Sequence, residues 1–259
     1  MIAYYKREFL AYFRSPIGWI SIALYALIGG FFFSSWLPLG RIDMAGESAF
    51  LSGILFIIIP IITMRLFSEE KKSGTDILMY TSPVNLAGVV TAKYLAALTL
   101  FLMMNMVIPL HMLIVISFGG RVDAMAWGAF IALILLGSVF IAVGTLASAA
   151  TENQIVSAMI SFTVLLLSQY VYVFAGQFRS LAVSLLGALN VFGIEASQID
   201  GIGKGIEKAI NWIDPYTHLE TLFIGMFRFP PVFFCVSVDV LLVFVAYRLI
   251  EKRRWSQNG

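Results

Sequence analysis

From Ala124 to Ala150 the chain carries no charged residue, and the same is true from Ile17 to Leu37, from Ala49 to Met64 and from Ile155 to Phe178. Runs this long and this apolar restrict the fold more than any motif does. A helix crossing the hydrocarbon core of a bilayer needs about 20 such residues. In that core every backbone N–H and C=O must be satisfied within the protein, which helices achieve internally. The composition agrees: 60% of residues are hydrophobic and 12% charged, with a mean hydropathy of +0.91, where a soluble domain has about 45–50% and 25%. The expectation is an all-α polytopic membrane protein, a single transmembrane domain over residues 1–259 with no room for a sizeable soluble domain. The first apolar run is too long for the h-region of a signal peptide and lacks a cleavage site. The single cysteine, Cys235, lies in an apolar run and reads as a buried thiol, with no intrachain disulfide.

The pattern divides into six transmembrane helices. Residues 1–14 form an amphipathic segment, with Ile2, Tyr5, Phe9, Leu10 and Phe13 near one side, and read as an N-terminal interfacial helix. Ile17–Leu37 is the first span, Pro38–Ser48 a short polar loop, and Ala49–Leu66 the second span with a kink at Pro60. A charged stretch follows. The third span is Tyr94–Ser117, preceded by an interfacial turn, with Lys93 marking the headgroup level. Ala124–Ala150 is the fourth; its Gly137, Ser138, Ala142, Gly144 and Ser148 would let other helices approach closely. Ile155–Ala175 is the fifth. Residues 176–229 read as a re-entrant external hairpin between spans five and six: Leu181–Ile194 is apolar but too short to cross, Ser197–Gly205 reads as a flexible glycine-rich loop, and Ile206–Ile213 and Tyr216–Phe227 as short helices. Pro231–Ile250 is the sixth span. Lysines and arginines concentrate on the side shared by both termini and the charged stretch, which places that side in the cytoplasm.

Residues 67–83 are the most distinctive polar segment. Glu69, Glu70, Lys71 and Lys72 are consecutive, so on a helix they fan around more than half its circumference. They cannot all satisfy one another, and groups outside the chain are expected to meet some of them. Thr75 is a candidate N-cap of a following mini-helix, whose Ile77, Leu78 and Tyr80 would form an apolar knob before Ser82-Pro83 stops it. Such a segment reads as a docking surface; the other reading is a solvated loop that serves only topology. Chemistry is sparse elsewhere. Gly201, Gly203 and Gly205 lack the spacing and preceding strand of a phosphate loop. His111 and His218 are far apart, with no cluster at metal-ligand spacing, so no metal site is expected. The intramembrane polar candidates are Asn105, His111, Gln169 and Asp239. Asp239 is the only carboxylate placed in mid-span, either a structural hydrogen-bonding group or part of a substrate path; His111 reads as packed and neutral. Nothing in the chain supplies an evident energy source.

The layout resembles the membrane subunit of type-2 ABC transporters, and three motifs bring it close to the gliding-motility-type (GldF-like) branch. Pro60-Ile61-Ile62-Thr63-Met64-Arg65 running into Phe67-Ser68-Glu69-Glu70-Lys71-Lys72-Ser73-Gly74-Thr75, with Lys93-Tyr94-Leu95-Ala96-Ala97 downstream, looks like its coupling region. Thr151-Glu152-Asn153-Gln154-Ile155-Val156 looks like its second cytoplasmic turn, and His218-Leu219-Glu220 with Gly225 and Arg253-Arg254-Trp255 like its C-terminal signature. Pro230-Pro231 departs from the pattern. The resemblance implies a permease subunit that is not itself an enzyme. It would lie in the cell membrane of a prokaryote with both termini cytoplasmic, working with a second permease (the same or a related chain) and a pair of ATPase subunits that bind ATP and Mg. It also allows an accessory envelope protein as a partner. It makes Phe67, Glu69, Glu70, Lys71, Lys72, Thr75, Leu78, Glu152, Asn153 and Gln154 the ATPase-coupling residues. The function implied is ATP-driven export. A membrane anchor for mechanical or regulatory work on envelope proteins is the alternative, and an ion-coupled carrier is disfavoured by the few midplane charges.

Overall fold

The computed structural model describes residues 2–36, 43–76, 85–188, 196–212 and 214–257, which are helical with short connections and contain no strand. Helix α1 is Ile2–Arg14 and α2 is Pro16–Trp36, separated by Ser15, with Pro16 opening the second helix as its fixed φ allows. Helices α3 (Met44–Gly53) and α4 (Leu55–Thr63) form a pair bent by 55°. The polar helix α5 is Ser68–Ser73. Next come α6 (Leu86–Met104) and α7 (Val107–Ser117), together one long apolar stretch, and α8 (Ala124–Ala150). Helices α9 (Gln154–Gln169) and α10 (Val171–Ala188) are bent by 63° at Tyr170. The chain ends with α11 (Ala196–Asn211), α12 (Pro215–Phe223) and α13 (Phe229–Gln257).

Four stretches are long and apolar enough to cross a membrane, Pro16–Trp36, Leu86–Ser117, Ala124–Ala150 and Phe229–Arg253, and the two bent pairs bring the number to six if each counts as one span. Helix α8 is the hub, packed against α3, α4, α6, α9, α12 and α13. Its small residues make this possible. A Cβ on Gly137 would overlap the Phe101 ring, one on Gly144 would overlap the Thr63 side chain, and one on Gly128 would overlap the Leu222 carbonyl. Without Cβ atoms the helices close to van der Waals contact, which is what holds helices together where lipid is as apolar as leucine.

Several expectations are corrected. Residues 44–48 are not loop: Asp43 caps the Gly46 amide and starts α3, so Glu47 and Ser48 lie on its buried face. The bend in the second span falls at Ile54, not at Pro60. There the exposed carbonyls of the break are taken by side chains from elsewhere, Ser52 O by the Tyr216 hydroxyl at 3.4 Å and Gly53 O by the Gln169 amide at 3.5 Å. No turn precedes Tyr94, because Asn85 caps the Ala87 amide and α6 runs unbroken from Leu86. The fifth span breaks at Tyr170, and α10 continues to Ala188. The glycine-rich stretch from Ser197 to Gly205 is helical, not a loop. It forms an antiparallel hairpin with α10, in which Gly203 sits against Val183 and Arg179, and Arg179 binds Asp200 at 2.8 Å and Glu207 at 3.0 Å. The sixth span extends past Ile250 as helix to Gln257, with Pro230 and Pro231 in its first turn.

Candidate functional site

The candidate site is the end of the bundle that holds α1, α5 and the last turns of α13. The chain turns sharply between α4 and α5, and each polar group freed by that turn is met from another element. The Leu66 amide bonds back to Thr63 O at 3.1 Å, which releases the Ile62 carbonyl for the Tyr12 hydroxyl at 3.0 Å. The Ser148 hydroxyl donates to Met64 O at 3.1 Å and accepts from the amides of Phe67 and Ser68. The Lys93 ammonium donates to Leu66 O at 2.6 Å.

Lys93 is 1% exposed, in the middle of an ion cluster. Its Nζ lies 3.1 Å from both Glu8 of α1 and Glu70 of α5, and 5.2 Å from the centre of the Phe67 ring. Arg7 closes the circuit, 2.7 Å from Glu8 and 2.8 Å from Glu70. Burial opposes ionisation of Glu8, but Lys93 and Arg7 outweigh it and hold this carboxyl below its usual range. A cavity of about 330 Å³ opens here, lined by these groups with Arg65, Glu69 and Thr75 and by Ala11 and Leu66.

The four consecutive charges form the core of α5, and three of them find partners within the chain. Glu69 pairs with Arg65 at 3.1 Å, Glu70 with Lys93 and Arg7, and Lys71 donates to the Ala149 carbonyl in the last turn of α8, where a cation suits the helix dipole. Lys72 is exposed. The four charges do not satisfy one another: Arg65, α1, α6 and α8 supply the groups that meet three of them. Phe67 is buried under Lys93. Thr75 stands between the end of α5 and helical backbone that resumes at Asp76, and the mini-helix it was expected to cap lies outside the described residues beyond that point. Gly74 takes the left-handed conformation, φ 70°, that closes α5, and the Thr75 hydroxyl lies 2.9 Å from that of Ser73. The apolar knob with Leu78 falls outside the described residues.

A second ion cluster joins the tail to this end. Arg253 of α13 reaches Asp76, next to α5, at 3.3 Å and Glu152, in the turn between α8 and α9, at 2.5 Å. The hydrogen bond from Arg253 holds the Glu152 carboxyl below its usual range. Asn153 caps α9, accepting from the Ile155 amide at 2.9 Å, and Gln154 is the first residue of that helix. The motifs at 67–75, at 151–154 and at Arg253, far apart in sequence, thus meet at one end of the molecule.

The intramembrane candidates scatter. Asn105 sits at the break between α6 and α7, accepting from the Tyr25 hydroxyl at 2.7 Å and donating to Phe101 O at 2.9 Å. Gln169 serves the α3–α4 break. His111 is paired rather than simply packed: its Nδ1 lies 2.6 Å from Glu47 Oε1 and its ring stacks on Phe33. Glu47, 1% exposed, is the residue the sequence reading missed. The signal was Asp43 as a helix cap, which would have put Glu47 on the same face as Leu51 and Leu55. Asp239 lies in a groove between α6 and α13.

Among protein families, that of the ABC-2 family transporter protein matches residues 19–199, which are 181 of the 259 residues. No curated protein matches the chain. The match covers α8, its neighbours α3, α4, α6 and α9, and the polar segment between α4 and α6, and such a family supplies the membrane component that works with an ATP-binding subunit. On this evidence the chain is a multi-pass membrane protein that belongs to the ABC-2 transporter family.

Proposed function

We propose that the chain is the permease subunit of an ATP-driven exporter of the gliding-motility-type (GldF-like) branch, placed in a prokaryotic cell membrane with both termini in the cytoplasm. A separate pair of ATPase subunits binds ATP and Mg, and a second permease, the same or a related chain, completes the pathway. The observation that carries this reading, beside the family match, is the construction of the terminus-bearing end. Helix α5 is short and charged, and salt bridges tie it to α1, α6 and, through Asp76 and Arg253, to the last span. A force applied to α5 from below would reach these spans through charged contacts without first unfolding a loop. Lys72, exposed beside those contacts, and Glu152, paired with Arg253 but with its side chain 65% exposed, are the groups that meet the ATPase.

The test is co-expression with candidate ATP-binding subunits from the same genome, followed by reconstitution in vesicles loaded with a panel of fluorescent amphiphiles. The expected result is a stable complex that redistributes at least one probe only when ATP is hydrolysed. Hydrolysis by a stable complex that moves no probe, but alters an attached envelope protein, would favour the anchoring reading. Failure of any ATPase to bind would overturn both.

A further inference from the structure

Helices α6 and α13 run side by side and leave a groove of about 400 Å³ between them, a size typical of small-molecule sites. Its walls are almost wholly apolar. Leu95 comes from α6, and Val240, Val243 and Phe244 come from α13. The rim is open, with Val240 64% and Phe244 57% exposed. One charged side chain lines it, Asp239, and none of the lining residues is basic. The Oδ1 atom of Asp239 is buried without a hydrogen-bond partner, while the hydroxyls of Tyr94 and Ser138 are the polar groups beside the carboxyl.

A carboxylate in an apolar wall is costly unless a cation or hydrogen-bond donors meet it. The Ser138 hydroxyl donates to Leu135 O at 2.8 Å and that of Tyr94 lies 3.5 Å from Ser138 O, so neither hydroxyl is reserved for the carboxyl, and a ligand donor that carries positive charge would meet its free oxygen. Among the described residues that line the groove there is no positively charged donor. A ligand that combines an ammonium group with an apolar body would satisfy both features at once, the charge against Asp239 and the body along Val243 and Phe244. An anion would be repelled by the carboxylate, and a sugar has no apolar body to match the walls.

We propose that the groove between α6 and α13 binds lipophilic amines, with Asp239 as their counter-ion. The groove opens sideways between two helices, so the ligand enters from the apolar phase rather than from water. This site does not depend on the permease reading, because it would bind in the isolated chain with no ATPase present.

The experiment uses the purified full chain in lipid nanodiscs and two photo-reactive probes, a diazirine-bearing octylamine and the matching octanol, with labelled residues mapped by mass spectrometry. The amine should label the stretches around Leu95 and Val240–Phe244 at least tenfold more than the alcohol. Asp239→Asn should remove that excess, and Asp239→Glu should keep most of it. Val243→Trp, which fills the groove without touching the carboxylate, should abolish labelling there and provides the test if Asp239→Asn does not fold. Equal labelling by both probes would make the groove a place for lipid chains, and amine labelling unchanged in Asp239→Asn would remove the counter-ion; either overturns the proposal. So would the absence of labelling together with cross-linking of two copies through Val240→Cys, which would make this face a contact between chains. In each case transport by the ATPase complex remains a separate measurement.

Discussion

Lys93 shows how much a single residue decides at the charged end. Its ammonium is shared by Glu8, Glu70 and a backbone carbonyl while being almost fully buried. Removing one partner from a buried ion pair leaves uncompensated charge and costs about 3–5 kcal/mol, whereas exposed pairs contribute about 0–1 kcal/mol. Lys93→Met should therefore lower the melting temperature of the purified protein clearly, and Arg7→Ala, whose side chain is 55% exposed, only slightly. Equal effects would mean that the cluster is wet. Acid should act on the same group. The Glu8 carboxyl is held below its ordinary value of 4.5, so the unfolded chain takes up this proton first as the pH falls. Its contribution is complete above that value and is lost as the pH falls through the lower, folded value. Thermal melts on either side of about pH 4.5 should show this loss, and Glu8→Gln should reduce it.

At the level of elements, the spans were legible and their breaks were not. Uncharged runs such as Ala124–Ala150 have one solution in a bilayer, and small residues such as Gly137 and Gly144 announce a close approach without naming the partner. A break is decided by what meets its freed carbonyls. Pro60 gave a local signal for a kink, yet the chain bends at Ile54, because Tyr216 and Gln169 arrive there from distant elements. The partners of Lys93 were not legible for the same reason, since its acids come from α1 and α5. The resemblance located the motifs at 67–75, 151–154 and 253–255, but only packing shows Arg253 bridging two segments. The hub role of α8 gives a direct test. Gly137→Leu would drive a side chain into the Phe101 ring, and overpacking of this kind costs about 1–3 kcal/mol. Gly30→Ala in α2 meets nothing within 4 Å and should be neutral. Fluorescence-detected size exclusion after mild heating should lose the first variant and retain the second; survival of both would mean that α8 can yield at its centre.

For the whole molecule, the question is whether the charged end moves as one piece. Helix α1, α5, the turn before α9 and the tail of α13 are tied by two clusters, one centred on Lys93 and one on Arg253. The first is buried, while the second is more exposed and rests on the ion pairs of Arg253 with Asp76 and Glu152. If the ATPase pushes on α5, the Arg253 cluster is where the push divides between α13 and the turn before α9. Arg253→Glu would place three acids together and separate the tail from both partners. We expect this variant to fold and bind the ATPase, because the Lys93 cluster is untouched, yet to hydrolyse ATP with little transport. Adding Glu152→Arg restores one opposite pair and should recover a good part of the transport, as a merely damaged tail would not. Single Lys72→Glu should act differently: it alters an exposed cation beside these contacts and should weaken co-purification of the ATPase with no change in thermal stability. If Arg253→Glu transports at the normal rate, the tail is a passive end. If the double variant is no better than the single one, Arg253 acts through something other than its charge pair with Glu152.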